Sequence, residues 1–402
     1  METVVVIGGG ASGMTAALTA RESNYRIILL ERQSRVGRKL LATGNGRCNL
    51  TNINATLENY HGENPDFAAP ALARFTPEDT LAFFRKLGLV TVTEYGGRVY
   101  PLSNSANSVV DVLRFALEQA GVEVRCGCPA RELLRAKNGY IVKTDTEDIA
   151  ADFVIVACGG AAGAKLGGVT DGYELLKPLG HKRTKLYPAL VQLITAGDYP
   201  RALKGIRADA ALSLLAGGEP LAASAGEVQF TDNGVSGPAV FDISRAASLG
   251  GEGLTLCADF LRDYTLSEVE ALLAARVARF PALPTAELFT GILHNRLGRM
   301  LVKYAALDAA RPLSSLTKGD ISSAASAAKR FALTVTGTEG FDNAQVTAGG
   351  IRTSGLDPET LQSWFMPGLF VCGELLDIDA DCGGYNLQWA WASGHLAGRL
   401  GK

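Results

Sequence analysis

Apolar and polar positions along the 402-residue chain follow several distinct rhythms in turn. Val4-Val5-Val6-Ile7 is a short unbroken apolar run, the pattern of a central parallel strand covered on both faces. A small-residue helix, Ser12 to Ala20, and a second apolar strand, Arg26 to Leu30, follow it. Residues 121–158 alternate apolar and polar around a Lys137-Asn138-Gly139 turn. They predict a strand, a hairpin and a return strand, Phe153 to Ala157, ending at Cys158-Gly159-Gly160. From 192 to 345 the rhythm changes. Strand-like pieces at Ala208–Ala216 and Glu227–Thr231 flank a Gly217-Gly218-Glu219-Pro220 turn. Helical stretches are predicted at Leu266–Phe280, Thr285–Leu307 and Ser314–Phe331, with Pro281 and Pro284 separating the first two. A last apolar strand ends in Gly373-Glu374, and a final helix opens after Gly383-Gly384-Tyr385-Asn386.

This order predicts an α/β protein with a discontinuous Rossmann domain formed by residues 1–191 and 346–402. A β-barrel-like subdomain (192–264) and a small helical subdomain with a return strand (265–345) are inserted into it. No internal repeat or low-complexity tract is visible.

The first turn carries chemistry. In Gly8-x-Gly10-x-x-Gly13, Gly8 permits the tight turn, Gly10 admits a diphosphate to the backbone, and Gly13 lets helix and strand approach. The helix then aims its N-terminal amides, with Ala11 and Ser12 in the first turn, at the anion. Glu31, ending the second strand, is the acid expected to bond a ribose hydroxyl, and it argues against a 2′-phosphate. A second Gly-rich helix start at the far end of the chain suggests that the dinucleotide is FAD, bound non-covalently. At that end Gly383 to Asn386 would direct amides and a helix dipole at the flavin N1/C2=O edge. Gly159 to Gly163 offers glycine spacing but no acid-ended second unit, so a separate NAD(P)H domain is not expected, and any nicotinamide would visit the flavin directly.

Residues 37–52 are dense in Gly, Asn, Thr and cations without hydrophobic period, and predict a loop. Gly44 and Gly46 give it backbone freedom. Arg38, Lys39 and Arg47 can neutralise a diphosphate, and Asn45, Asn49 and Asn52 can bond a flavin ring.

Composition narrows the classes. A formal charge of −2 and a pI near 6.2 provide no electrostatic footprint for nucleic acid or an anionic membrane. No apolar run reaches the length of a membrane span, and the first strand begins at Thr3 without a leader pattern, so a cytoplasmic protein is expected. Seven cysteines form no CxxC, and four histidines are scattered; neither metal nor redox disulfide is expected.

The loop Gly44-Asn45-Gly46-Arg47-Cys48-Asn49-Leu50-Thr51-Asn52 after a Rossmann start resembles the BaiN/RdsA-type NAD(P)/FAD-dependent oxidoreductases, a branch of the glutathione-reductase-like flavoproteins. Further similar segments are Thr170-Asp171-Gly172-Tyr173, Tyr187 to Val191, Gln229 to Pro238, Val346 to Gly350, Gly373-Glu374-x-x-Asp377 and Gly383 to Gln388. The chain departs from the family pattern at Asp232-Asn233 and at Cys382. The resemblance implies that Glu374 bonds a ribitol hydroxyl. It also implies a flavin-linked hydride transfer to or from a small organic substrate. Three readings remain: NAD(P)H-linked reduction of an unsaturated, steroid-like carbonyl compound, oxidation of small amines with peroxide release, and RNA modification, against which the charge counts. Expected cofactor contacts are Gly8, Gly10, Ala11, Ser12, Gly13, Glu31, Arg32, Lys39, Gly44, Gly46, Arg47, Cys48, Asn49, Ala130, Gly159, Gly373, Glu374, Gly384, Tyr385 and Asn386. Candidate catalytic groups are Tyr187, Tyr385 and Arg47; Asp377, Asp379 and Asp381 alternate and would share one side of an extended segment, with one positioning the loop and the others solvated. Cys48 beside Arg47 is a packed residue or a reactive thiol.

Overall fold

The computed structural model describes residues 1–402. The chain divides into two compact units: Met1–Pro188 with Phe341–Lys402, and Ala189–Gly340.

The first unit is built on a five-stranded parallel sheet. Its order is Leu369–Val371, Phe153–Val156, Thr3–Ile7, Arg26–Glu31, Glu123–Cys126. The three central strands are almost wholly buried, as their unbroken apolar sequences require. Two helices from opposite ends of the chain share one face. Ala11–Glu22 meets Tyr385–Gly398 along a seam of small residues. A Cβ on Gly394 would lie 2.3 Å from the Ser12 carbonyl oxygen, and one on Gly398 would lie 2.6 Å from that of Ala16. Only glycine permits this approach. On its other side the C-terminal helix is fixed by buried polar groups. Trp391 Nε1 donates to the Leu50 carbonyl, while Gln388 Oε1 accepts from Thr51 and Thr80 and its amide donates to Phe75. A three-stranded antiparallel sheet, Glu132–Arg135, Tyr140–Lys143 and Asp148–Ala151, forms the predicted hairpin and its neighbour.

The second unit is a closed six-stranded barrel with helices, all sharing one apolar core. Around the barrel run Leu193–Thr195, Gly234–Ser236, Glu219–Phe230, Arg207–Ala216, Leu254–Asp259 and Phe331–Thr338. Two helical expectations are corrected. Thr285–Leu307 is not one helix: a 3-10 turn (Thr285–Glu287) precedes a helix that begins only at Asn295, with His294 capping it through Nδ1. The stretch ending at Phe331 stops at Lys329, and Phe331 opens the closing barrel strand instead. Antiparallel partners at Leu254–Ala258 fix that strand, overriding local pattern. A helix over Pro238–Gly250 went unpredicted. No helix is long and apolar enough to cross a membrane.

Candidate functional site

The ends of the parallel strands gather the glycine turn, Glu31, the Gly373-Glu374 corner and the 37–52 segment, where a kinked 3-10 helix (Leu40–Gly46) and a short strand (Thr51–Asn52) replace the expected loop. Gly8 has φ +113°, and its amide donates to Leu30 at 2.8 Å. A Cβ there would sit 2.4 Å from the Ala157 oxygen, and one on Gly13 would sit 1.8 Å from the Gly8 oxygen. A Cβ on Gly10 would meet nothing within 4 Å. Gly8 and Gly13 therefore serve close packing, while Gly10 fronts open space. The first turn of the helix it begins, with Ala11 and Ser12, has no acidic residue and no side-chain cap, which leaves it electropositive.

Glu31 is held under the turn. Its Oε2 accepts from the Gly9 amide at 2.9 Å and its Oε1 from the Gln33 amide at 2.7 Å. Each oxygen keeps a lone pair for a further donor. The Cys128 amide donates to the Glu31 carbonyl at 3.0 Å, so the loop that reaches Ala130 starts beside this acid.

Across the edge, Glu374 Oε1 accepts from the Thr347 amide at 2.9 Å, and Lys39 Nζ lies 3.0 Å and 2.7 Å from its two oxygens. Gly159, at φ +73°, leaves room above it: a Cβ there would stand 4.0 Å from Glu374 Oε2. Gly373 is fully engaged. Its amide donates to Ser393 Oγ, its carbonyl accepts from Trp389 Nε1, and a Cβ on it would strike Ser12 Oγ.

The final helix starts at Gly384, φ +103°, again without a side-chain cap or an acid in its first turn. A Cβ on Gly384 would lie 2.5 Å from the Thr51 oxygen and 2.8 Å from Asn49 Oδ1. One on Gly44 would lie 2.9 Å from the Asn49 amide. Asn49 Oδ1 is buried with no hydrogen-bond partner. An orphaned acceptor is costly unless a ligand donor meets it. Together with the open space at Gly10, it fits the two ends of an elongated dinucleotide.

Other candidate residues have partners within the protein. The Arg47 guanidinium bonds Glu94 and Asn104 and lies 4.0 Å from the centre of the Tyr100 ring. The Glu94 bond holds its pKa above the ordinary value. Arg32 pairs with Asp171 at 3.1 Å. Arg38 donates to Gln33, and Asn52 to the Gly96 and Gly383 carbonyls. Asn386 is spent on the backbone of its own loop, accepting from the Ala380 amide and donating to the Ala380 and Asp381 carbonyls. Cys48 is fully buried at φ +61°, and burial pushes its thiol up to about 12, so it is a packed residue. Asp377 and Asp379 are buried rather than solvated, and Asp377 accepts from the Glu63 amide. Tyr187 is partly buried, with Lys185 Nζ 4.8 Å from its ring centre. The Tyr385 carbonyl accepts from the Tyr60 hydroxyl at 3.2 Å. Gly46 holds φ +84° in the loop tip.

Sequence reasoning gave no role to the Thr347 amide on Glu374, and it named Asp381 but missed its partner His61, 2.7 Å away. Strand pairing across the chain brings those two together, so His61 has no local signal.

The glycine turn, Glu31 and the parallel sheet define a dinucleotide-binding protein of Rossmann type. The chain belongs to the HI0933-like family, residues 2–400 matching the HI0933-like protein Rossmann domain, and is an FAD-dependent oxidoreductase. It is 40% identical over 404 residues to the 3-dehydro-bile acid delta(4,6)-reductase of Clostridium scindens, covering 99% of this chain and 98% of that protein. It is 28% identical to the ribosomal RNA dihydrouridine synthase of Escherichia coli, covering 97% and 95%. Among solved structures, 3-ketosteroid delta1-dehydrogenase from Sterolibacterium denitrificans aligns at 14% identity over 99% of each chain, with a TM-score of 0.49. Relatives named for ribosomal RNA correct one expectation: near-neutral charge does not by itself set nucleic acid aside.

Proposed function

We propose that this protein reduces a carbon–carbon double bond conjugated to a carbonyl in a small, steroid-like molecule, using NAD(P)H as a transient electron donor. The observation that carries the reading is identity of 40% along the whole length of a protein named as a bile-acid reductase. In this reading Ala11, Ser12 and Gly13 amides hold the FAD diphosphate, and Glu31 takes the ribose hydroxyls with its spare lone pairs. Glu374 takes a ribitol hydroxyl, while Lys39 balances its charge. Asn49 Oδ1 accepts from the ring system, and the start of the final helix stabilises negative charge at the flavin edge. The bound flavin supplies hydride chemistry; the chain supplies orientation and electrostatics. After Gly163 come a 3-10 turn and a six-residue helix; in this reading the nicotinamide visits the flavin face directly.

The test is anaerobic mixing of the FAD-loaded protein with NADH or NADPH, followed by a 3-dehydro-bile acid bearing 4,6 double bonds. Bleaching of the flavin band, then its return on adding the bile acid, is the expected result. A flavin that only a small amine bleaches, with peroxide formed in air, favours the amine-oxidase reading. The ribosomal RNA relatives favour a second reading, and dihydrouridine formed in RNA by this protein would establish it.

A further inference from the structure

Saturating such a double bond adds one hydride and one proton, and nothing above assigns the proton. We infer that His61, held by Asp381, delivers it; this rests on the reading under Proposed function.

Tyr60–His61 pairs antiparallel with Asp379–Ala380, with Asp379 opposite His61 and Ala380 opposite Tyr60. The Asp381 amide continues the pairing by donating to the Asn59 carbonyl at 3.0 Å. The Asp381 carboxylate then meets His61 Nε2 through Oδ1 at 2.7 Å and accepts from Asn59 Nδ2 through Oδ2 at 3.1 Å. Asn386 clamps the backbone of Ala380 and Asp381 from the far side of the glycine turn, and the Tyr60 hydroxyl ties on Tyr385. The pair is thereby rigidly joined to Gly383-Gly384, where the flavin edge is placed. Access separates it from its neighbours. Tyr60 and Asp379 are 3% and 1% exposed, whereas the His61 and Asp381 side chains are 33% and 34% exposed. Other charges nearby are Glu63, which pairs with Arg352 at 3.1 Å, and the buried Asp377.

The chemistry balances. With Nε2–H donated to Asp381, imidazolium carries its transferable proton on Nδ1. The hydride, from the reduced cofactor, forms the C–H bond at the carbon distal to the carbonyl. The π electrons of the double bond take the His61 proton at the carbon beside the carbonyl. His61 becomes neutral, Asp381 remains a carboxylate, and water reprotonates the exposed ring.

The experiment combines three readouts on the FAD-loaded protein. Nitrogen-15 histidine spectra, assigned with His61→Gln, should show neutral His61 as the Nε2–H form, and Asp381→Ala should abolish that preference. His61→Ala should keep its flavin and its rate of bleaching by NAD(P)H. It should lose at least tenfold in flavin reoxidation by the unsaturated substrate, and added imidazole should restore part of that rate. An Nδ1–H form in the unaltered protein, an unimpaired His61→Ala, a defect that imidazole leaves untouched, or loss of flavin from the variant would each overturn the inference. Failure of the unaltered protein to reduce any such substrate would instead sink the reading under Proposed function and this role with it.

Discussion

Lys39 Nζ and Glu374 Oε2 lie 2.7 Å apart although 335 residues separate them in sequence. Lys39 follows the first βαβ unit and Glu374 follows the last strand of the same sheet, so the pair ties the two halves of the Rossmann unit at the centre of the site. Thr347 holds the same carboxylate by its amide. Glu374→Gln should therefore weaken FAD binding. A hydrogen bond to a charged group contributes about 1.5–3 kcal/mol, roughly ten- to a hundredfold in Kd. Fluorescence titration of the apoprotein with FAD checks this; unchanged affinity would detach Glu374 from the cofactor.

Two glycines make a contrasting pair. Gly10→Ala adds a methyl that meets nothing in the protein, so the apoprotein should keep its Tm while FAD occupancy falls. Gly394→Ala drives a methyl towards the Ser12 oxygen, 2.3 Å away, and should destabilise the apoprotein by about 1–3 kcal/mol. Thermal melts with and without FAD separate the two effects.

Burial pushes the thiols of Cys48, Cys158 and Cys372 up to about 12. Native protein at pH 8 should label first at exposed Cys126, and the fully buried Cys48 and Cys372 should react only after unfolding, with part-buried Cys158 between. Mass-spectrometric mapping after a short iodoacetamide pulse decides it. Early labelling of Cys48 would reopen a reactive role beside Arg47.

His395 stacks on Phe75 with ring centres 4.6 Å apart, its Nδ1 is 3.2 Å from Thr19 Oγ1, and burial lowers its pKa. The unfolded chain therefore binds this proton at higher pH than the folded one. Stability from the neutral ring is full above the unfolded value near 6.5 and declines as pH falls through it towards the lower folded value. Urea unfolding between pH 7.5 and 5 should show a shallower loss of stability in His395→Phe than in the unaltered protein. Equal slopes would mean that His395 is not responsible.

Local pattern made the nucleotide turn readable because its constraints are local: an apolar run, three glycines at fixed spacing and an acid at the next strand's end. Gly8 takes a positive φ, and Gly8 and Gly13 sit where a Cβ would strike backbone. A return strand was expected, but its start at Phe331 was hidden because that end is fixed by partners around Leu254–Ala258, which sequence order does not reveal. The partners of Arg47 were hidden for a related reason. A cation in a Gly-rich loop suggests phosphate, while the Glu94 and Asn104 that bond it arrive from other turns. Likewise Asn386 has the amide of a ligand contact and uses it to clamp its own loop.

The sheet order has a consequence for biosynthesis. Phe153–Val156 lies between Thr3–Ile7 and Leu369–Val371, so its outer edge stays unpaired until the last strand leaves the ribosome. At about 5–20 residues per second, the roughly 200 intervening residues leave a nascent apolar edge open for some 10–40 s. The small-residue face of the first helix waits longer still, for the roughly 370 residues between Glu22 and Gly394. Truncation within the last thirty or so residues would leave the sheet paired but remove the helix Tyr385–Gly398, baring the small-residue face of the first helix to aggregation rather than merely weakening an enzyme.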